Sequence, residues 1–244
     1  MKIECGAATD MGRDRDENED AFWIDEARGM CAVIDGIAGA RSSGTFAAQL
    51  ALTTLRAHAE RHAPRATTAL DDEARSLLRS VNDAILREQG RSPYGRGFGC
   101  SAVLIVLGDD EVALASSGVC VALRVRDDGQ YEELSEAQDL RREYHRFARP
   151  FDFDADRVAP RKVIAGMLGI QAAPRIESTL ELVRPGDLFV VCTDPVLDSV
   201  TPSEIASIVR EHERVQSMAD AIVARSVARS GAMNATALVA RAAG

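Results

Sequence analysis

Apolar and polar positions change period several times along the chain, and each change predicts an element. Residues 2–8 alternate, as in a strand with one buried face, and give way to the very polar stretch 9–20. The apolar runs 21–24 and 30–34 are separated by residues 26–29, ending in Gly29, and read as paired strands around a turn. From residue 44 to 59, Phe46, Ala47, Leu50, Ala51, Thr54, Leu55 and His58 recur at helical spacing. Leu70, Ala74, Leu77, Leu78, Val81 and Ile85 do the same, and Pro64 breaks between the two amphipathic helices. Their Leu and Ala stripes read as core. A loop over 92–99 leads into strand-like runs at 101–107, 111–116, 119–126 and 131–134. Turns at 108–110 and 127–129 predict an antiparallel meander.

Residues 135–162 are the least regular segment, with prolines at 150 and 160 and many Arg and Asp, and read as a functional or mobile insertion. Strands at 175–183 and 187–193 follow, joined through Pro185 and Gly186, then helices from about 203 and over 215–228, and a last strand at 235–241. Strands at both ends with helices grouped in pairs predict a layered α+β fold with mainly antiparallel sheets.

Composition narrows the class. A chain of 244 residues that is 46% hydrophobic can bury one large core, so a single domain over 1–244 is expected, carrying the insertion at about 135–162. The formal charge of −9 weighs against a general nucleic-acid binder, which needs a basic face. Cys5, Cys31, Cys100, Cys120 and Cys192 are odd in number and scattered, and four lie in or beside apolar runs. They read as reduced core residues of a cytoplasmic protein, without a CxxC pair for zinc. No signal peptide or membrane-spanning stretch is evident, so a soluble protein, monomeric by default, is expected.

The chemistry centres on Val33-Ile34-Asp35-Gly36-Ile37-Ala38-Gly39, an apolar run that stops at an acid and is followed by two spaced glycines. Such a strand either delivers one carboxylate to a metal or phosphate site or simply ends in a corner with a capping Asp. An acidic cluster upstream, Asp14 to Asp20, and a downstream acid, Asp194, favour the site, because each adjoins an apolar run.

Taken together, the stretch Thr9-Asp10-Met11-Gly12-Arg13-Asp14-Arg15-Asp16-Glu17-Asn18-Glu19-Asp20, the Asp35-Gly36 run, Thr193-Asp194 and Gly231-Ala232-Met233-Asn234-Ala235-Thr236 resemble the metal-dependent protein phosphatases of type 2C, the PPM family. That family's blocks read S-D-x-G-x-x-R-x-x-N-x-D, D-G-M-G-G, G-D-S-R, S-D-G and D-N-x-T, and their order and spacing match over essentially the whole chain. The resemblance implies an α-β-β-α sandwich with the site at one end. It also implies hydrolysis of phosphoserine or phosphothreonine on a protein by a water activated by Mg²⁺ or Mn²⁺. By the same resemblance, Asp35 bridges two ions, the Gly36 carbonyl binds the second, Asp194 binds the first, Asp20 holds their waters and Arg15 grips phosphate. Glu19 is a further outer contributor, and residues 135–162 correspond to the flap beside the site.

The departures point the other way. Met233 stands where D-N-x-T has its acid, and a thioether has little affinity for a hard cation. One ligand of the first ion is therefore missing, and one or two ions are to be expected. Val119 replaces the acid of G-D-S-R, which removes a third ion site. S-D-G has become Thr193-Asp194-Pro195, and D-G-M-G-G has become D-G-I-A-G. Asp198 is a substitute ligand, or else a surface acid near a helix or a turn former. Cys120, between two valines and far in sequence from any His, reads as core. His58 and His62, four apart on a predicted helix, read as a solvated face or half of a metal site. His145 lies among Arg141, Arg142, Arg146 and Arg149, a solvated charge run or a receiver of phosphoprotein. Two functions stay open: an attenuated metal-dependent serine/threonine phosphatase, and a pseudophosphatase that regulates a partner by binding it.

Overall fold

In the computed structural model, residues 1–38, 44–61, 69–91, 97–140, 142 and 164–244 are described. The strands among them form two five-stranded sheets, antiparallel throughout. One sheet has the order β1 (Lys2–Asp10), β10 (Ala235–Ala243), β9 (Leu188–Cys192), β6 (Val121–Val125), β7 (Tyr131–Glu133). The other has the order β2 (Asp20–Asp25), β3 (Met30–Ile37), β4 (Gly99–Leu107), β5 (Glu111–Ser117), β8 (Glu177–Leu182).

Helices α1 (Gly44–Arg61) and α2 (Leu70–Arg91) cover the second sheet. Helices α3 (Asp194–Ser199), α4 (Pro202–Glu211) and α5 (Val215–Arg229) cover the first. A central apolar layer between the sheets includes Cys31, Val33, Val103, Ile105, Val191, Leu238 and Ala240. The result is the expected α-β-β-α sandwich.

Strand alternation sorts each residue to a layer. On β3, Met30, Ala32 and Ile34 face the α1–α2 layer, whereas Cys31 and Val33 face the central one. The same period of two continues past the end of the apolar layer. It brings Asp35 of β3, Asp20 of β2, Thr193 after β9 and Thr236 of β10 to one open end of the gap between the sheets. Asp20 lies directly opposite Asp35 in the β2–β3 register. The fold therefore assembles polar groups at this end by extending four inward-facing rows.

The predicted meander is only half observed. The β4–β5 and β6–β7 hairpins form, but β6 pairs with β9 and not with β5, so the chain crosses between sheets at residues 118–120. Gly118 adopts φ +98° at that crossing, a backbone shape that favours glycine. The crossing is invisible to periodicity because β4 and β6 are buried on both faces. Likewise β8 and β9, consecutive in sequence, belong to different sheets. The short helix α3 was not expected; Pro195 sits in its first turn, where the missing N–H costs nothing. Of the insertion, only residues 135–140 and 142 lie within the described part, and His62, His145 and Gly39 lie outside it.

Candidate active site

A cleft of about 280 Å³ opens at this end of the sandwich, lined by Arg15, Glu19, Asp20, Asp35, Gly36, Val119, Asp194 and Met233 among others. Arg15, Glu19, Asp20, Asp35, Gly36 and Asp194, with the altered family positions Val119 and Met233, thus meet in one place, as their sequence blocks predict. Asp198 is exposed on α3 and is not among the residues that line the cleft.

Asp20 is the most firmly held. Its Oδ2 accepts hydrogen bonds from Thr236 Oγ1 at 2.7 Å and Thr193 Oγ1 at 3.0 Å. The Thr193 hydroxyl in turn accepts from the Thr236 N–H, and Asn18 Oδ1 accepts from the Asp20 N–H. Burial pushes the Asp20 carboxyl up to about 6 even though both threonine hydroxyls favour its charged form. Asp35 is raised well above the usual carboxylate range, first by burial and then by the charges of Asp20, Asp194 and Glu19, with Arg15 opposing.

Arg15 reaches Glu19 Oε2 and Met233 Sδ, both at 3.3 Å. Glu19 is chiefly a structural clamp: its Oε1 accepts from the Gly44 N–H at 2.7 Å, at the start of α1, where a negative charge suits the helix dipole. Asn234 ties down the N-terminal loop. Its Nδ2 donates to the carbonyls of Met11 and Glu17, and its Oδ1 accepts from the Glu19 N–H. Gly36 has no room for a side chain, because a Cβ there would overlap the Gly44 carbonyl. Thr193, Thr236 and Asn234 belong to the quoted sequence blocks but carried no role there; only the fold reveals that they fix Asp20 and the Arg15 loop.

Comparison with known proteins bears on this arrangement. The family model for protein phosphatase 2C matches residues 12–239. The chain belongs to the protein phosphatase 2C family. A curated Streptococcus pyogenes serotype M6 protein, provisionally described as protein phosphatase 2C-type, is 26% identical over 213 residues, covering 85% of this chain and 84% of its own. The serine/threonine phosphatase Stp1 of Staphylococcus aureus has the same fold, with a TM-score of 0.88 at 18% identity over 100% of this chain and 96% of that one. The catalytic domain of the phosphatase PstP, solved with two manganese ions, superposes with a TM-score of 0.83 at 22% identity over 100% of this chain and 99% of that one.

The protein phosphatase 2C family therefore supplies the frame for the departures noted in the sequence. Val119 is buried, its side chain on the cleft wall and its N–H donating to Ser101 Oγ. Met233 lines the cleft where the family motif has an acid, and it presents its sulfur to Arg15. Cys120 is buried and its thiol is pushed well up by burial, in keeping with the core reading. His58 is half-buried on α1.

The oxygen donors at the cleft suit a hard divalent cation. Two carboxylates, Asp35 and Asp194, and the Gly36 carbonyl share the cleft, and the mutual repulsion that raises Asp35 is what a cation relieves. Among the described residues, no three His, Cys, Asp or Glu side chains converge as a ready-made cage. That arrangement suits an ion that keeps several waters, as Mg²⁺ does. Among the described residues, no helix is long and apolar enough to cross a membrane.

Proposed function

We propose that this protein is a divergent Mg²⁺- or Mn²⁺-dependent protein serine/threonine phosphatase of attenuated activity. The observation that carries the reading is the convergence of Arg15, Asp20, Asp35, Gly36 and Asp194 on one cleft. Asp35, Asp194 and the Gly36 carbonyl would hold the ion. A divalent ion held there supplies an acidified water as nucleophile and positive charge against the phosphoryl oxygens.

The chain's own groups do the rest. Arg15 grips the phosphoryl oxygens with its planar fork, and its N–H toward Met233 is readily given up because a thioether is a weak acceptor. Asp20, pinned by Thr193 and Thr236, accepts a hydrogen bond from water and orients it. The substrate is a phosphoprotein, as the family implies, and a cytoplasmic, monomeric protein is part of the same reading.

Attenuation follows from Met233. Even an outer partner of a metal ligand is worth about 10- to 100-fold in affinity or activity, and a directly ligating carboxylate is worth at least as much. Met233 and Val119 also favour a second reading, a pseudophosphatase that binds a partner without turnover. Phosphate release from a small aryl phosphate and a phosphothreonine peptide across a Mn²⁺ titration separates them. Metal-dependent turnover that vanishes in Asp35→Asn supports the enzyme. Equal, background release by both proteins at high Mn²⁺ removes it.

A further inference from the structure

A second crevice, of about 240 Å³, lies between the edges of the two sheets, where β5 and β8 face the segment after β7. Its acids are Glu177 on one wall and Glu133 and Glu136 on the other, and Ser116 lines it from β5. Ser116 is 1% exposed, and alternation along β5 points it into the same gap as Val112 and Leu114. Its hydroxyl has no hydrogen-bond partner among the described residues, an unusual state for a group so deeply buried.

The protein itself shows what this gap accepts. Farther along the same two edges, the 3%-exposed Arg124 of β6 places its guanidinium between the sheets. There it donates to Glu132 on one side and to Glu181 and the Leu182 carbonyl on the other. The crevice repeats that layout, with carboxylates from both sides, but no inner cation among the described residues. Arg142 and Arg175 pair with Glu133 and Glu177 at 3.3 and 2.7 Å while remaining over a third exposed, and Glu136 has no partner among the described residues. The acids do not form a metal cage, so an organic cation fits this site better than a metal ion.

We propose that the crevice receives a guanidinium or ammonium group from a basic side chain near the phosphorylated residue of a protein substrate. Position argues for the substrate as the source. Ser116 is three residues from Val119 on the wall of the catalytic cleft, which bounds the separation of their Cα atoms at about 11 Å. Gln138, two residues past Glu136, holds the Gly118 N–H at the same crossing. An extended peptide covers about 11 Å in roughly three residues, so an arginine about two to four positions from the phosphorylated residue is the one suited to span from the cleft wall to the crevice. The proposal rests on the phosphatase reading for the orientation of the peptide, not for the existence of the cation site.

The test is fluorescence anisotropy of labelled phosphothreonine peptides titrated with the full chain in Mn²⁺, comparing arginine with alanine at those positions. The arginine peptide is expected to bind about tenfold tighter, as charge-assisted hydrogen bonds warrant. Glu136→Gln and Ser116→Ala should each erase much of that preference while leaving turnover of the small aryl phosphate unchanged. Ser116→Ala should not lower the Tm, since the lost hydroxyl has no partner among the described residues. Equal affinity for the two peptides, or a preference that survives Glu136→Gln, overturns the proposal. So does spermidine binding through Glu136 with no arginine preference, which would make the site one for free polyamines. Absence of turnover with the arginine preference intact would instead remove the catalytic reading alone.

Discussion

Restoring an acid at position 233 is the sharpest perturbation. The Met233 sulfur is 3.3 Å from Arg15 Nη2 and lines the same cleft as Asp35 and Asp194, so an aspartate there adds a hard oxygen donor to the set. By the worth of groups around metal ligands, Met233→Asp should tighten Mn²⁺ at least about 10- to 100-fold, or roughly 1.4–2.7 kcal/mol. Two local effects oppose it. The new carboxylate repels Asp35, whose charged form is already disfavoured, and it gives Arg15 a strong partner that competes with the ion. The two act in opposite directions on the metal-free protein, so its Tm should change little while the Tm rise on adding Mn²⁺ grows. Titration calorimetry with Mn²⁺, paired with melts at matched metal, reads both quantities, and turnover should rise in parallel. A folded variant whose Mn²⁺ affinity stays within twofold of the parent would refute the assignment of position 233 to the metal.

The Asp20 carboxyl, raised from 3.8 to about 6 by burial, makes the metal-free protein pH-sensitive. A raised carboxyl costs the fold nothing below its unfolded value and about 3 kcal/mol once ionised above about 6, so the metal-free chain should gain stability from pH 7.5 to 5 on this account. Mn²⁺ affinity should fall over the same interval, and calorimetry at the two pH values checks it. Thr236→Val removes a 2.7 Å bond to the charged form of Asp20, so its cost, about 1–3 kcal/mol, should be larger at pH 7.5 than at pH 4.5 in urea melts. Gly36→Ala drives a methyl into the Gly44 carbonyl and should destabilise by about 3 kcal/mol or more, with loss of turnover; a change under about 0.5 kcal/mol would show that the contact yields.

Much of the architecture was legible because helices and half-buried strands leave periodic traces. The stripes of α1 and α2, the turn before Met30 and the closing strand all stand where spacing predicts them. Strand partners were not legible: β4 and β6 bury every residue, so neither shows a face, and only the fold assigns them to different sheets. Asp20, Asp35 and Asp194 could be read because each adjoins an apolar run. Their support could not, because Glu19 clamping α1, Asn234 bridging the N-terminal loop and two threonines converging on Asp20 all span contacts distant in sequence. Asp198 illustrates the limit from the other side: four residues from Asp194, it lies outside the cleft because α3 turns its side chain to the surface.

Mn²⁺ binding itself decides whether the acids around Asp35 form a cradle for a hard cation despite Met233. Loss of the free-ion signal in electron paramagnetic resonance, followed as protein is titrated into Mn²⁺ at pH 7.5, requires no turnover. Binding should be saturable, abolished by Asp35→Asn, and weaker as the pH falls through 6. An unchanged free-ion signal at millimolar protein, or binding indifferent to Asp35→Asn, would contradict it.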